Sequence, residues 1–90
     1  MSGRPMRVLV TGAASGIGLG IARHFAERGH AVWLSDRDAG AVGQAAAAVR
    51  EQGWNATGLE LDVTSAEGIE AAVAALGPQG VDLLVNNAGL

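Results

Sequence analysis

Three glycines and one aspartate are the residues of this 90-residue chain whose spacing has chemical consequences. In Thr11-Gly12-Ala13-Ala14-Ser15-Gly16-Ile17-Gly18 the glycines stand four and two positions apart, between the apolar run Val8-Leu9-Val10 and a stretch of helical periodicity. A glycine at the first position permits a tight turn off a strand. One at the second lets backbone approach a pyrophosphate, and one at the third lets the helix pack closely on the sheet. The helix points free N–H groups and its positive dipole end at the same place, so an anion could be held without lysine. Asp36 follows eighteen residues after Gly18, near the ~20-residue spacing at which an acidic residue ends the second strand and accepts hydrogen bonds from an adenosine ribose. A carboxylate there repels a 2'-phosphate and favours NAD. Arg37, next door, could pair with such a phosphate and permit NADP, or stay exposed or stack on adenine.

These residues need a frame, and the apolar pattern supplies one. Val8 to Val10, bounded by Pro5 and Gly12, has the look of a strand buried on both faces. Ile17, Ile21, Phe25 and Arg28 recur at helical spacing, with Gly29 as the left-handed stop. Ala31 to Ser35 reads as a second strand ending at Asp36. Asp38 can cap a second helix bearing Val42, Ala45, Ala46 and Val49, closed by Gly53. A third strand lies within Trp54 to Leu61, weakened by Asn55 and Gly58. Thr64 and Glu67 match a capping box for a third helix with Ile69, Ala72, Val73 and Leu76 on one face. Gly77, Pro78 and Gly80 break it, and Val81 to Val85 reads as a fourth strand before Asn86-Asn87-Ala88-Gly89.

The alternation predicts an α/β fold, the βαβαβαβ amino-terminal half of a Rossmann-like doubly wound parallel sheet, with strand order 3-2-1-4. All of residues 1–90 belong to that one half-domain. Apolar residues make up 49% and charged residues 17% of the chain, which excludes a disordered segment. The net charge of −3, with arginine but no lysine, argues against nucleic acid or an anionic membrane as partner. No run approaches the ~18 apolar residues of a membrane span, no secretory leader is visible, and the expected location is cytoplasmic. Cysteine is absent, which excludes thiol catalysis. His24 and His30 lie in the first helix region, away from the carboxyl ends of the strands, so no catalytic and no metal-binding residues are assigned.

The Thr11 to Gly18 segment resembles the TGxxxGxG signature of the short-chain dehydrogenase/reductase family, and Asn86-Asn87-Ala88-Gly89 resembles its NNAG motif. The glycine spacing is that of the short rather than the extended subgroup, and Leu61-Asp62-Val63 is similar to the family's adenine pocket. The resemblance implies that Gly12, Ser15, Gly16, Ile17 and Gly18 wrap the pyrophosphate and adjoining ribose. It further implies that Asp36, with Arg37 beside it, meets the adenosine ribose, and that Asp62 and Val63 hold adenine. Asn86, Ala88 and Gly89 would face the nicotinamide side, while Thr11 and Asn87 brace. NADP-preferring members often carry a basic residue where this chain has Ser15, so NAD is the expected cofactor, with NADP possible.

The same resemblance implies hydride transfer between a nicotinamide cofactor and a small alcohol or carbonyl substrate, in a homodimer or homotetramer. The family's catalytic Ser, Tyr-x-x-x-Lys pair and helical Asn would all lie beyond position 90, and this chain contains neither tyrosine nor lysine. The expectation is therefore a truncated chain that carries the cofactor-binding half without turnover. A non-catalytic nucleotide-binding or regulatory module is the alternative. An unpaired, apolar fourth strand would also favour self-association.

Overall fold

The computed structural model describes residues 4–87, which form four parallel strands and three helices in strict alternation. They are β1 (Arg7–Val10), α1 (Gly16–Glu27), β2 (Ala31–Asp36), α2 (Ala39–Arg50), β3 (Ala56–Glu60), α3 (Ala66–Leu76) and β4 (Leu83–Val85). The sheet order is β3-β2-β1-β4, as the alternation predicts. Val8 lies level with Val32 on one side and Leu83 on the other, and Asp36 pairs with Glu60 at the far end of β2.

With right-handed crossovers this order places α1 and α2 on one face and α3 on the other. Val8, Val10, Val32 and Leu34 bury the first face against Ala22 and Ala26 of α1 and Val42, Ala46 and Val49 of α2. Small residues set the spacing. The buried line of α1 is Gly18, Ala22 and Ala26, four residues apart, which lets the helix lie close to the strands. The larger line of Ile17, Ile21 and Phe25 is displaced from it: Ile21 and Phe25 flank the core, and Ile17 is 73% exposed rather than core. Gly58, which weakens β3 as a sequence pattern, has the same use. A Cβ there would stand 3.2 Å from the Val42 carbonyl oxygen and 3.3 Å from Gly43 Cα, so the glycine admits α2.

Two boundaries differ from expectation. β4 is shorter than Val81 to Val85, because Gly80 sits at φ +59° and the ladder begins only after Asp82. The capping box of α3 does not form: Ser65, not Thr64, is the cap, accepting from the Gly68 N–H at 3.1 Å. Thr64 instead turns back to the Asp62 carboxylate, a charged and stronger acceptor. Asp38 caps α2 as predicted, through the Ala41 N–H, and Gly29 and Gly53 follow α1 and α2 at φ +90° and +87°.

Arg7 ties the sheet to α3. Its guanidinium donates to the carbonyl oxygens of Leu76 (2.6 Å) and Gly80 (2.7 Å) and to Gln79 Oε1 (2.7 Å), and it stacks 4.5 Å above the Trp33 ring. Its backbone exchanges two hydrogen bonds with Asp82, one to the side chain and one from the amide. One side chain thus satisfies the carboxyl end of a helix that carries no basic residue in its own last turn. Arg7→Met is expected to lower stability by about 2 kcal/mol in urea denaturation. A loss below about 0.5 kcal/mol would mean that water replaces the guanidinium at little cost.

On the α3 face the packing is open. Leu9, Leu61, Ala72 and Leu76 form a buried floor, while Val63, Ile69, Val73 and Leu84 remain 41–60% exposed around a groove of about 340 Å³. No helix among the described residues is long and apolar enough to cross a membrane.

Candidate functional site

The turn after β1 is built by glycine geometry and backbone bonds. Gly12 and Gly16 lie at φ +62° and +61°, where a side chain would be strained. Thr11 N–H donates to the Val85 carbonyl at 3.0 Å and Ala13 N–H to the Ser35 carbonyl at 2.9 Å, so the turn hangs from β4 on one side and β2 on the other. Ala14 N–H donates to Asp36 Oδ2 at 3.3 Å. Ser35 is fully buried, and its hydroxyl donates to the Val10 carbonyl at 3.0 Å.

Gly18 lies beneath this turn. A Cβ on it would come 2.2 Å from the Gly12 carbonyl oxygen and 2.8 Å from Asn87 Nδ2, so only hydrogen fits. Asn87 donates from Nδ2 to the Gly12 oxygen at 3.2 Å and from its backbone to Thr11 Oγ1 at 2.9 Å. Thr11 Oγ1 in turn donates to Asn86 Oδ1 at 3.1 Å. Thr11 and Asn87 therefore brace the turn.

The amino terminus of α1 contrasts with the other two. Asp38 and Ser65 cap α2 and α3 with their side chains, whereas Ser15 makes no such bond; the first turns of α1 and α2 hold no acidic residue, and that of α3 holds Glu67. Space beside Gly16 is open to 4 Å around its Cβ direction. Ser15, Gly16 and Ile17 are exposed here, and the positive end of the helix dipole meets no side-chain carboxylate in that turn.

Next to the turn is a cleft of about 290 Å³ lined by Gly12, Asp36, Arg37, Leu61, Asp62, Val63 and Thr64, at the small end of the ~300–1,000 Å³ range of small-molecule sites. It lies at the carboxyl ends of β1, β2 and β3, where ligands bind in open α/β sheets. Asp36 Oδ1 accepts from the Asp38 N–H at 3.1 Å and Oδ2 from Ala14, which orients the carboxylate between the turn and the start of α2. Asp62 Oδ1 accepts twice from Thr64, from Oγ1 at 2.6 Å and from the backbone N–H at 2.9 Å. The Thr64 hydroxyl holds the Asp62 carboxyl below its usual range. The Thr64 N–H and the Arg37 charge add to this, and partial loss of water opposes it. A lowered value stabilises the fold above the ordinary carboxylate pKa, and that contribution disappears as pH falls through the lowered value.

The structure thus brings Gly12, Asp36, Arg37, Asp62 and Val63 into one cleft. Asn86 accepts from Thr11 and faces the apolar groove along α3. Ala88 and Gly89 lie outside the described residues. Sequence reasoning missed Thr64, which it assigned to a helix cap, and Ser35, whose only signal is a hydroxyl inside an otherwise apolar strand. Two residue classes suit a dinucleotide: an uncapped helix end behind glycines for its phosphates, and carboxylates at two strand ends for its hydroxyl and amino donors.

Fold and cleft define an α/β domain of the doubly wound, Rossmann-like type. The chain belongs to the short chain dehydrogenase family, whose model matches residues 6–90. Galactitol 2-dehydrogenase of Agrobacterium fabrum is 44% identical over 84 residues, covering 91% of this chain and 32% of that enzyme. A 3-oxoacyl-acyl-carrier-protein reductase of Vibrio harveyi is likewise 44% identical over 84 residues, covering 91% of this chain and 33% of the reductase. Among solved structures, L-sorbose reductase from Gluconobacter frateurii, complexed with NADPH and L-sorbose, superposes with a TM-score of 0.87 at 36% identity, covering 96% of this chain and 34% of that one. An actinorhodin polyketide ketoreductase with NADPH gives 0.86 at 43%, covering 93% and 33%. The chain spans about a third of the length of the curated relatives it matches.

Proposed function

We propose that this chain is the cofactor-binding half-domain of an oxidoreductase that moves hydride between a nicotinamide dinucleotide and an alcohol or carbonyl compound. The observation that carries the reading is a cleft at the carboxyl edge of the sheet lined by Gly12, Asp36, Asp62 and Val63, beside which the uncapped start of α1 is exposed. The dinucleotide would supply the hydride chemistry. The chain's own residues bind and orient: the first-turn amides of α1 face the pyrophosphate, Ser15 and Ile17 flank it, and Gly18 supports the turn from below. Asp36 accepts from the adenosine ribose, and Asp62 with the Val63 N–H takes adenine. Asn86, which follows β4 directly, would meet the nicotinamide side. The proton-transfer residues of the family have no counterpart here, since the chain has no tyrosine and no lysine, so the 90 residues bind cofactor without turnover.

NAD is the cofactor this reading favours, because the Asp36 carboxylate on the cleft wall would accept from ribose hydroxyls and repel a 2'-phosphate. NADP is the second reading. It is favoured by Arg37 on the wall of the same cleft, and both solved structures described above hold NADPH. Titration with NADH and NADPH, followed by quenching of Trp33 and Trp54 and by calorimetry, tests both. Saturable binding with NADH the tighter is expected. Tighter NADPH would transfer the adenosine end to Arg37, and no binding to a folded chain would overturn the proposal.

A further inference from the structure

Ser35 is fully buried near the end of β2, where Val32 and Leu34 turn toward α1 and α2 and Ser35 turns to the opposite face. Burial alone would be served by an apolar residue, and a hydroxyl is tolerated at such a place only with a partner. That partner is the Val10 carbonyl, to which the hydroxyl donates at 3.0 Å. The Ser35 carbonyl accepts from the Ala13 N–H at 2.9 Å, and the carboxylate of the next residue, Asp36, accepts from the Ala14 N–H at 3.3 Å. Two consecutive residues of β2 therefore grip the segment Val10 to Ala14 at three points. Between the first grip and the other two lies Gly12, at φ +62°, the residue of that segment with the greatest backbone freedom.

We infer that Ser35 is a positioning residue for the phosphates of the dinucleotide, acting through the turn and not by contact with the ligand. The inference rests on the dinucleotide reading given above and deepens it. Ala13 and Ala14 direct their N–H groups to β2. The amides left for an anion are those that follow, from Ser15 into the first turn of α1, where a helix has no partners of its own to offer. Their direction depends on where the turn leaves β1, and the Ser35 hydroxyl fixes that point at Val10. Without it the Val10 end is held by the ladder to Leu34 alone, and the free turn samples arrangements that a ligand must first reverse. Affinity then falls by the fraction of competent turn, by no more than one buried neutral hydrogen bond contributes, about threefold to tenfold. Ser35 does not line the cleft, so the loss is common to every ligand that uses the turn: NADH and NADPH weaken together. Adenosine, which has no phosphate, is unaffected.

The test titrates the 90-residue chain, Ser35→Ala and Ser35→Thr with NADH and NADPH by calorimetry and with adenosine by NMR. Exchange of the Ala13 amide is followed in parallel without ligand. Ser35→Ala is expected to weaken NADH and NADPH by one common factor of about threefold to tenfold, to leave adenosine within about twofold of wild type, and to speed Ala13 exchange. Ser35→Thr, which keeps the hydroxyl, is expected to restore both dinucleotide affinities to within about twofold. Unchanged NADH affinity in Ser35→Ala would overturn the positioning role and leave the dinucleotide reading standing. Equal weakening of adenosine would overturn it too, since the damage would then be general to the cleft. Should Ser35→Thr fail to fold, the Ala13 amide decides: unaltered exchange in Ser35→Ala overturns the role through the ligand-free chain alone. Failure of wild type to bind either dinucleotide would remove both.

Discussion

Gly18→Ala is expected to cost about 3 kcal/mol of stability, whereas Gly20→Ala, two residues along the same helix, is expected to gain about 0.5 to 1 kcal/mol. The two sites differ only in what a methyl group would meet. At Gly18 it would come 2.2 Å from the Gly12 carbonyl oxygen and 2.8 Å from Asn87 Nδ2. Neither is the loose end of a flexible side chain: the carbonyl is backbone in a turn held by β2 and β4, and the Asn87 amide is itself bonded to that oxygen. Relief requires α1 to lift from the sheet, opening the buried line of Ala22 and Ala26, or the turn to move. Either shift displaces the first-turn amides, so NADH binding should weaken along with stability. At Gly20 nothing lies within 4 Å, and the substitution replaces the poorer helix former with the best. Urea denaturation of both variants checks the pair. Equal effects would show that α1 tolerates a rise of an ångström above the turn, and the third glycine would lose its packing role.

Asp36→Asn is expected to weaken NADH binding by about tenfold to a hundredfold and to shift the NADPH:NADH preference toward the phosphorylated cofactor by a further factor of similar size. The carboxylate sits between two backbone donors, Ala14 N–H and Asp38 N–H, which set its direction. Asparagine keeps the shape and one acceptor. On the proposed reading it loses the negative charge that would strengthen bonds to ribose hydroxyls and repel a 2'-phosphate, and it leaves Arg37 as the charged side chain on that wall of the cleft. The change also leaves one of the two backbone donors facing an amide group, so part of the loss will be common to both cofactors. The ratio of the two affinities isolates the charge effect, and calorimetry at fixed ionic strength measures it. A ratio that stays constant would mean that Asp36 serves the loop and not the cofactor's ribose.

Periodicity and glycine placement carried most of the fold. Val8 to Val10, the Val42 to Val49 helix face, Asp38 and the Gly29 and Gly53 stops are local signals, and each stands where the pattern put it. What was not legible has physical causes. On α1 the eye follows large apolar residues, but the helix meets the sheet through small ones, and Ile17 projects from its first turn into solvent. Thr64 and Ser65 are adjacent and both can cap; the neighbouring carboxylate of Asp62 decided between them. Arg7 could not be read at all, because its partners lie 69–73 residues away and no local pattern marks a guanidinium bound to carbonyls. Of the expected site residues, Gly12, Asp36, Arg37, Asp62 and Val63 line one cleft, whereas Thr64 on the same wall and the supporting Ser35 belong to no motif that marks them.

The pairing of β1 with β4 has a kinetic consequence. The first strand sits between β2, which follows it after one helix, and β4, whose register partners lie 75 residues away, Val8 with Leu83. Closing so long a loop is entropically unfavourable until the rest of the sheet exists to receive it. The β1-β2-β3 ladder with α1 and α2 is thus the natural folding nucleus, and the strand bearing Val85, from which Thr11 hangs, is added late and released early. Amide exchange should report this as an opening of β4 at lower free energy than the β1–β2 ladder. Since Asn86 and Asn87 follow that strand directly, the glycine turn would be assembled in full only in the last event of folding.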